Sequence, residues 1–153
     1  MQKQWFRLDT AALIFPAVMN KDWANVYRVS ATLKDPIDPE ILQNAVNELS
    51  ERFPSFYVRL KKGMFWCYLQ EAKHLPFVKE DYAYPLAHMT GKEMADCCLR
   101  IFYYKNRIAV EFFHVITDGT GASLFVQTLM EKYLTLRYGL NIDPEERAID
   151  WDK

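Results

Sequence analysis

The stretch Glu111-Phe-Phe-His114-Val-Ile-Thr-Asp118-Gly119-Thr-Gly121 joins two kinds of periodicity. Upstream, Arg107 to Val115 is an apolar run facing a second one, Cys97 to Tyr104, across Lys105-Asn106, which reads as two antiparallel strands and a tight turn. Their faces are Cys97/Leu99/Ile101/Tyr103 and Ile108/Val110/Phe112/His114. Downstream, Ala122, Phe125, Val126, Leu129, Tyr133 and Leu136 recur at helical spacing. Gly139 stands where a left-handed C-terminal cap belongs. A histidine thus closes a strand, an aspartate follows four residues on at a strand-to-helix corner, and two of the chain's five glycines sit beside it.

Working outward, Tyr27 to Leu33 alternates strictly, with Tyr27, Val29, Ala31 and Leu33 on one face, as a half-buried strand does. Asp38 is placed to cap a helix whose first position is Pro39, where a missing N–H costs nothing. The stripe Leu42, Ala45, Val46, Leu49, Phe53 follows, and Pro54 stops it. Phe56 to Leu60 and Met64 to Leu69 flank Lys61-Lys62-Gly63, a hairpin signal. Glu71 to Lys92 reads as loop with one short strand. The order implies an α+β fold, with a mixed, mostly antiparallel sheet and helices packed on one face. Residues 1–140 read as one unit, and the charged tail 141–153 as a linker or crossover.

Composition bounds the function. The chain has 153 residues, the size of one domain, and half of them are apolar, enough for a core of its own. Lys plus Arg is 19 against 20 Asp plus Glu, so no basic stripe is available to displace counterions from a nucleic acid. The apolar run Ala11 to Met19 is broken by Pro16 and is too short to span a bilayer. Cys67, Cys97 and Cys98 have no metal-ligand spacing, so no metal is expected, and reduced thiols in a cytoplasmic protein are.

His114 is the candidate general base: a rigid strand-end imidazole with an ordinary pKa of about 6.5 takes protons near neutrality. A core histidine satisfied by a backbone carbonyl has the same sequence pattern. Asp118 orients the corner or serves as the N-cap of the next helix. Gly119 and Gly121 provide either the turn or clearance for a substrate. Thr117, Thr120 and Ser123 read as capping residues, and His74 and His88 as solvated loop positions.

These residues resemble the HHxxxDG signature of the chloramphenicol acetyltransferase-like superfamily, which includes condensation domains and alcohol O-acetyltransferases. His114, Asp118 and Gly119 match its second His, Asp and Gly; position 113 is Phe where the signature has its first His. The element order is similar to that of the N-terminal half of such a protein. The resemblance implies an acyltransferase that uses His114 as base, with Asp118 mainly structural and commonly paired with an Arg. It implies a thioester donor, either acyl-CoA or carrier-bound phosphopantetheine, no tightly bound cofactor, and an alcohol or amine acceptor. The implied partner is a C-terminal half of the same enzyme, so the isolated half is expected to be inactive. It is also expected to form a homodimer through apolar surface left open around Phe112–Val115. The competing reading is a non-catalytic binding or scaffolding domain on the same fold.

Overall fold

The computed structural model describes residues 5–6, 26–64, 67–81, 85–87, 89–113 and 116–140. Seven strands and three helices are defined among them: β1 (Trp5–Phe6), β2 (Val26–Thr32), α1 (Pro39–Leu49), β3 (Val58–Lys62), β4 (Cys67–Glu71), β5 (Val78–Glu80), α2 (Gly91–Asp96), β6 (Leu99–Tyr104), β7 (Arg107–Phe113) and α3 (Gly119–Tyr138). The architecture is α+β. A four-stranded sheet runs in the order β2-β7-β6-β5, antiparallel except for the parallel β5–β6 pair, and a separate antiparallel sheet has the order β1-β4-β3.

The two long helices begin as their sequences dictate. Asp38 accepts hydrogen bonds from the Glu40 and Ile41 amides at 3.0 and 3.2 Å, with Pro39 opening the first turn of α1. Gly139 ends α3 at φ 63°, the left-handed conformation that only glycine adopts without cost. Leu42, Ala45, Val46 and Leu49 of α1 and Ala122, Phe125, Val126, Leu129 and Tyr133 of α3 are buried against one face of the four-stranded sheet. Phe56 stacks on Phe125 at 5.0 Å between ring centres, and Phe112 meets Phe125 edge-on at 5.8 Å.

A second, smaller core lies between the two sheets, built on Val58, Leu60, Leu69, Met94, Cys98 and Phe113. Phe112 and Phe113 therefore enter different cores from adjacent positions, as the pleat of a strand requires. Ile108 to Phe113 is buried without a break: Ile108, Val110 and Phe112 lie in the first core and Phe113 in the second, while Ala109 and Glu111 are buried on the other face outside both.

Several expectations are corrected. Lys61 and Lys62 belong to β3, since Lys62 pairs with Cys67, and the hairpin turn lies beyond them. The 71–92 stretch holds the expected short strand β5, but a helix, α2, follows it. Its signal is Thr90-Gly-Lys-Glu93, a capping box in which the Thr90 hydroxyl and the Glu93 carboxylate each accept from the other residue's amide. Cys97 and Cys98 precede β6, yet their thiols do part, one into each core. Phe53 lies past the end of α1 and packs back on Phe125 at 5.3 Å, while Leu136 is half-exposed. Phe112 and Phe113 are fully buried, so the apolar surface expected around Phe112–Val115 is not open at those two positions. The expectations for residues 141–153, His88 and Val115 lie outside the described residues. Among the described residues no helix is long and apolar enough to cross a membrane.

Candidate functional site

The corner between β7 and α3 is closed by short-range bonds. The Ile116 amide donates to the Phe113 carbonyl at 3.0 Å, turning the chain off the sheet. Asp118, in extended conformation, caps α3: its carboxylate accepts the Gly121 amide at 2.8 Å, and its carbonyl accepts the Ala122 amide at 3.0 Å. The side chain is exposed, and its hydrogen bond is the cap. Of the two roles open in the sequence, capping is the one the geometry displays.

The two glycines separate. A Cβ on Gly121 would stand 2.1 Å from the Thr117 hydroxyl, so it is that side chain which crowds out anything larger than glycine. A Cβ on Gly119 would meet nothing within 4 Å. The fold does not need glycine there, and the space beside it is open. His114 itself lies outside the described residues, between the described positions Phe113 and Ile116.

Tyr27 is a site residue that sequence reasoning missed. Its ring stacks on Phe112 at 5.4 Å, and its hydroxyl donates to the carbonyls of Thr117 and Asp118 at 3.1 and 2.9 Å. The corner is thereby tied to β2, some ninety residues earlier in sequence. Burial, with the negative charge of Asp118 adding to it, raises the Tyr27 hydroxyl to about 12, so it remains a donor at neutral pH. An inward tyrosine at a strand start reads as core, so its second role is not legible in the sequence.

An ionic network crosses the other face of the sheet. Register places Arg28 of β2 and Arg100 of β6 directly opposite Glu111 of β7. Glu111, 1% exposed, accepts Arg28 Nε at 3.1 Å, Arg100 Nη2 at 2.8 Å and the Leu86 amide at 2.6 Å. Asp81 receives Arg28 at 2.7 and 3.2 Å and Arg107 at 3.2 Å. Hydrogen bonds from Arg28 hold the Asp81 carboxyl below the usual carboxylate range despite burial. Arg100 also donates to the Ala87 carbonyl at 2.6 Å, so the network straps residues 85–87 over the sheet. Leu86 is held there at φ 58°.

Other candidates carry no chemistry here. Burial lifts the Cys97 thiol to about 11 and pushes Cys98 higher still, so both stay protonated and unreactive at neutral pH. Among the described residues no cluster of His, Cys, Asp and Glu could hold a metal ion. His74 is exposed, as expected.

No family model and no curated protein sequence matches the chain. Solved structures do. The starter condensation domain of rhizomide synthetase superposes with a TM-score of 0.66 at 13% identity, over 90% of this chain and 39% of that one. The epimerization domain from the third module of tyrocidine synthetase B gives 0.67 at 10% identity, over 94% and 37%. Polyketide synthase associated protein 5 from Mycobacterium tuberculosis gives 0.62 at 17% identity, over 94% and 36%. A variant of the rhizomide synthetase domain, 12% identical, was solved in complex with C8-CoA. The chain spans about two fifths of the length of these structures. Its fold is condensation-domain-like, in part rather than in whole.

Proposed function

We propose that the chain is the N-terminal half of an acyltransferase that moves an acyl group from a thioester to a hydroxyl or amine. The observation that carries this reading is the placement of the Asp118-Gly119 pair. It caps the helix directly after the central strand of a condensation-domain-like fold. In this reading His114 takes the proton from the acceptor. The freed oxygen or nitrogen attacks the thioester carbonyl, and the sulfur leaves with a proton as a thiol. Asp118 does not handle that proton. It holds the corner through the Gly121 amide, and Tyr27 anchors the same corner to β2. Gly119 leaves room for the acceptor.

The donor is acyl-CoA or a phosphopantetheine-linked thioester, arriving as a substrate rather than a resident cofactor. The C8-CoA complex of the rhizomide synthetase domain supports that class. Because the chain covers about two fifths of its structural neighbours, the opposite wall of the site comes from a C-terminal half. The isolated chain then folds without turning over, since an unenclosed base has lost its positioning. In the complete enzyme His114→Ala should cut acceptor-dependent thiol release by about 10²–10⁴-fold with unchanged melting. Transfer persisting within a factor of a few would return His114 to a packing role. Phe113, fully buried in the second core where the signature has its first His, favours a second reading, a non-catalytic binding or scaffolding domain. Absence of thiol release from the complete wild-type protein would select it.

A further inference from the structure

The strand arginines of this fold are answered by carboxylates, with one exception. Arg28 meets Asp81 at 2.7 Å and Glu111 at 3.1 Å, Arg100 meets Glu111 at 2.8 Å, and Arg107 meets Asp81 at 3.2 Å. Arg59 of β3 is buried more deeply than these, at 6% exposure. Its Nη2 donates to the neutral Gln70 amide oxygen at 2.7 Å, and its buried Nε donates to nothing. Among the described residues no carboxylate pairs with it. A guanidinium does not lose its proton, and holding it away from water without a counter-charge is costly. Charged side chains are almost never buried unless paired. The group that satisfies such a site is an anion.

Register sets the surroundings. Arg59 stands directly opposite Gln70, and the next pair on the same face is Lys61 opposite Tyr68. Gln70 is buried, Tyr68 half-buried and Lys61 exposed, so the face opens from the buried pair towards the hairpin end. β4 is the central strand of its sheet, flanked by β1 and β3, which fixes the backbone that carries Gln70. Alternation turns Val58 and Leu60 the other way, into the core between the sheets. The one carboxylate of the β3–β4 pair, Glu71, stands opposite Val58 and belongs to that other face.

Two cations therefore share one face of β3, about 7 Å apart along the strand. Among the described residues Lys61, like Arg59, has no ion pair. A guanidinium presents paired N–H groups that match two oxygens of one phosphate, and an ammonium adds a point charge beside it. A doubly charged phosphate balances both cations, whereas a carboxylate balances one. Half a turn of the Gln70 amide would exchange its oxygen for its NH2, a further donor to the same anion.

We propose that the Arg59, Lys61 and Gln70 face of the small sheet binds the phosphate group of a phosphomonoester. The site shares no residue with the Asp118 corner, and the proposal stands whether or not the chain takes part in acyl transfer.

Inorganic phosphate and acetate test it. Each is titrated at about pH 8, where phosphate is mostly doubly charged, with sodium chloride holding the ionic strength constant. The Arg59 side-chain Nε–H and the backbone amides of Arg59, Lys61 and Gln70 are followed by NMR. Phosphate should give saturable shifts at these groups, and acetate should bind about fivefold more weakly, the difference one further exposed ion pair makes. Arg59→Met, similar in length and uncharged, should abolish the response to both anions. Lys61→Gln, at an exposed position, should weaken phosphate about fivefold and leave acetate unchanged, and it decides alone if Arg59→Met does not fold. No saturable shift, acetate binding as tightly as phosphate, an Arg59→Met chain that binds as before, or a Lys61→Gln chain that binds phosphate like the wild type would overturn the proposal.

Discussion

Replacing Glu111 by alanine removes a buried carboxylate that faces two guanidinium groups, one on each neighbouring strand. Three hydrogen bonds go with it, from Arg28 at 3.1 Å, Arg100 at 2.8 Å and the Leu86 amide at 2.6 Å. Arg28 keeps Asp81, but Arg100 is left with a 3.4 Å contact to Glu93 and one carbonyl. Breaking a buried ionic group by deleting one partner costs about 3–5 kcal/mol. Because the two arginines retain other acceptors, the lower end applies, about 3 kcal/mol, or roughly 6–12 °C of melting temperature for a domain of this size. Thermal and urea unfolding followed by circular dichroism measure it. Glu111→Gln keeps the shape and part of the bonding and should lose less. The double replacement Glu111→Leu, Arg100→Met leaves Arg28 its bonds to Asp81 and removes the guanidinium with the poorer remaining partners, so it should recover part of the loss. If Glu111→Ala melted within a degree of the wild type, the network would be an ornament of the sheet rather than part of its stability.

Asp118→Ala should destabilise by about 1 kcal/mol, the usual value of an N-cap, read from the urea midpoint; unchanged stability with lost activity in the complete enzyme would make Asp118 a chemical group instead. Gly121→Ala should cost about 1–3 kcal/mol by crowding the Thr117 hydroxyl, and Thr117→Ala in the same chain should relieve it, whereas Gly119→Ala should leave melting unchanged. In alkali, Tyr27 titrates at about 12 in the fold against about 10 in the unfolded chain. Its contribution is therefore whole below about pH 10 and lost as pH rises towards about 12, a decline that Tyr27→Phe should flatten. In acid, the lowered Asp81 carboxyl acts oppositely: its contribution holds above the ordinary carboxylate range of about 4 and disappears as pH falls below it, which pH-dependent urea midpoints would show.

The elements with strong periodicity were readable in advance. The stripe from Leu42 to Leu49, the cap at Asp38, the turn at Lys105-Asn106 and the end at Gly139 are all local devices, and each occurs in the structure. What escaped is what depends on partners distant in sequence. α2 spans six residues, too short to show a repeat, and only its capping box announced it. The division of the strands into two sheets depends on which edges meet, and no single strand encodes that. Arg28, Arg100 and Glu111 look like solvent-facing charges one strand at a time; only register brings them together. At the corner, Asp118 and Gly119 were identified from their spacing, but the anchoring role of Tyr27 requires knowing that β2 lies beside β7.

The adjacent phenylalanines of β7 have a consequence for how the molecule comes apart. Phe112 belongs to the core under the helices and Phe113 to the core between the sheets. Loosening either core therefore disturbs the same strand, which pairs with both β2 and β6. The two halves of the interior are thereby coupled, and the described elements should unfold in a single transition. A substitution beneath α1 is then felt between the sheets, through one peptide bond.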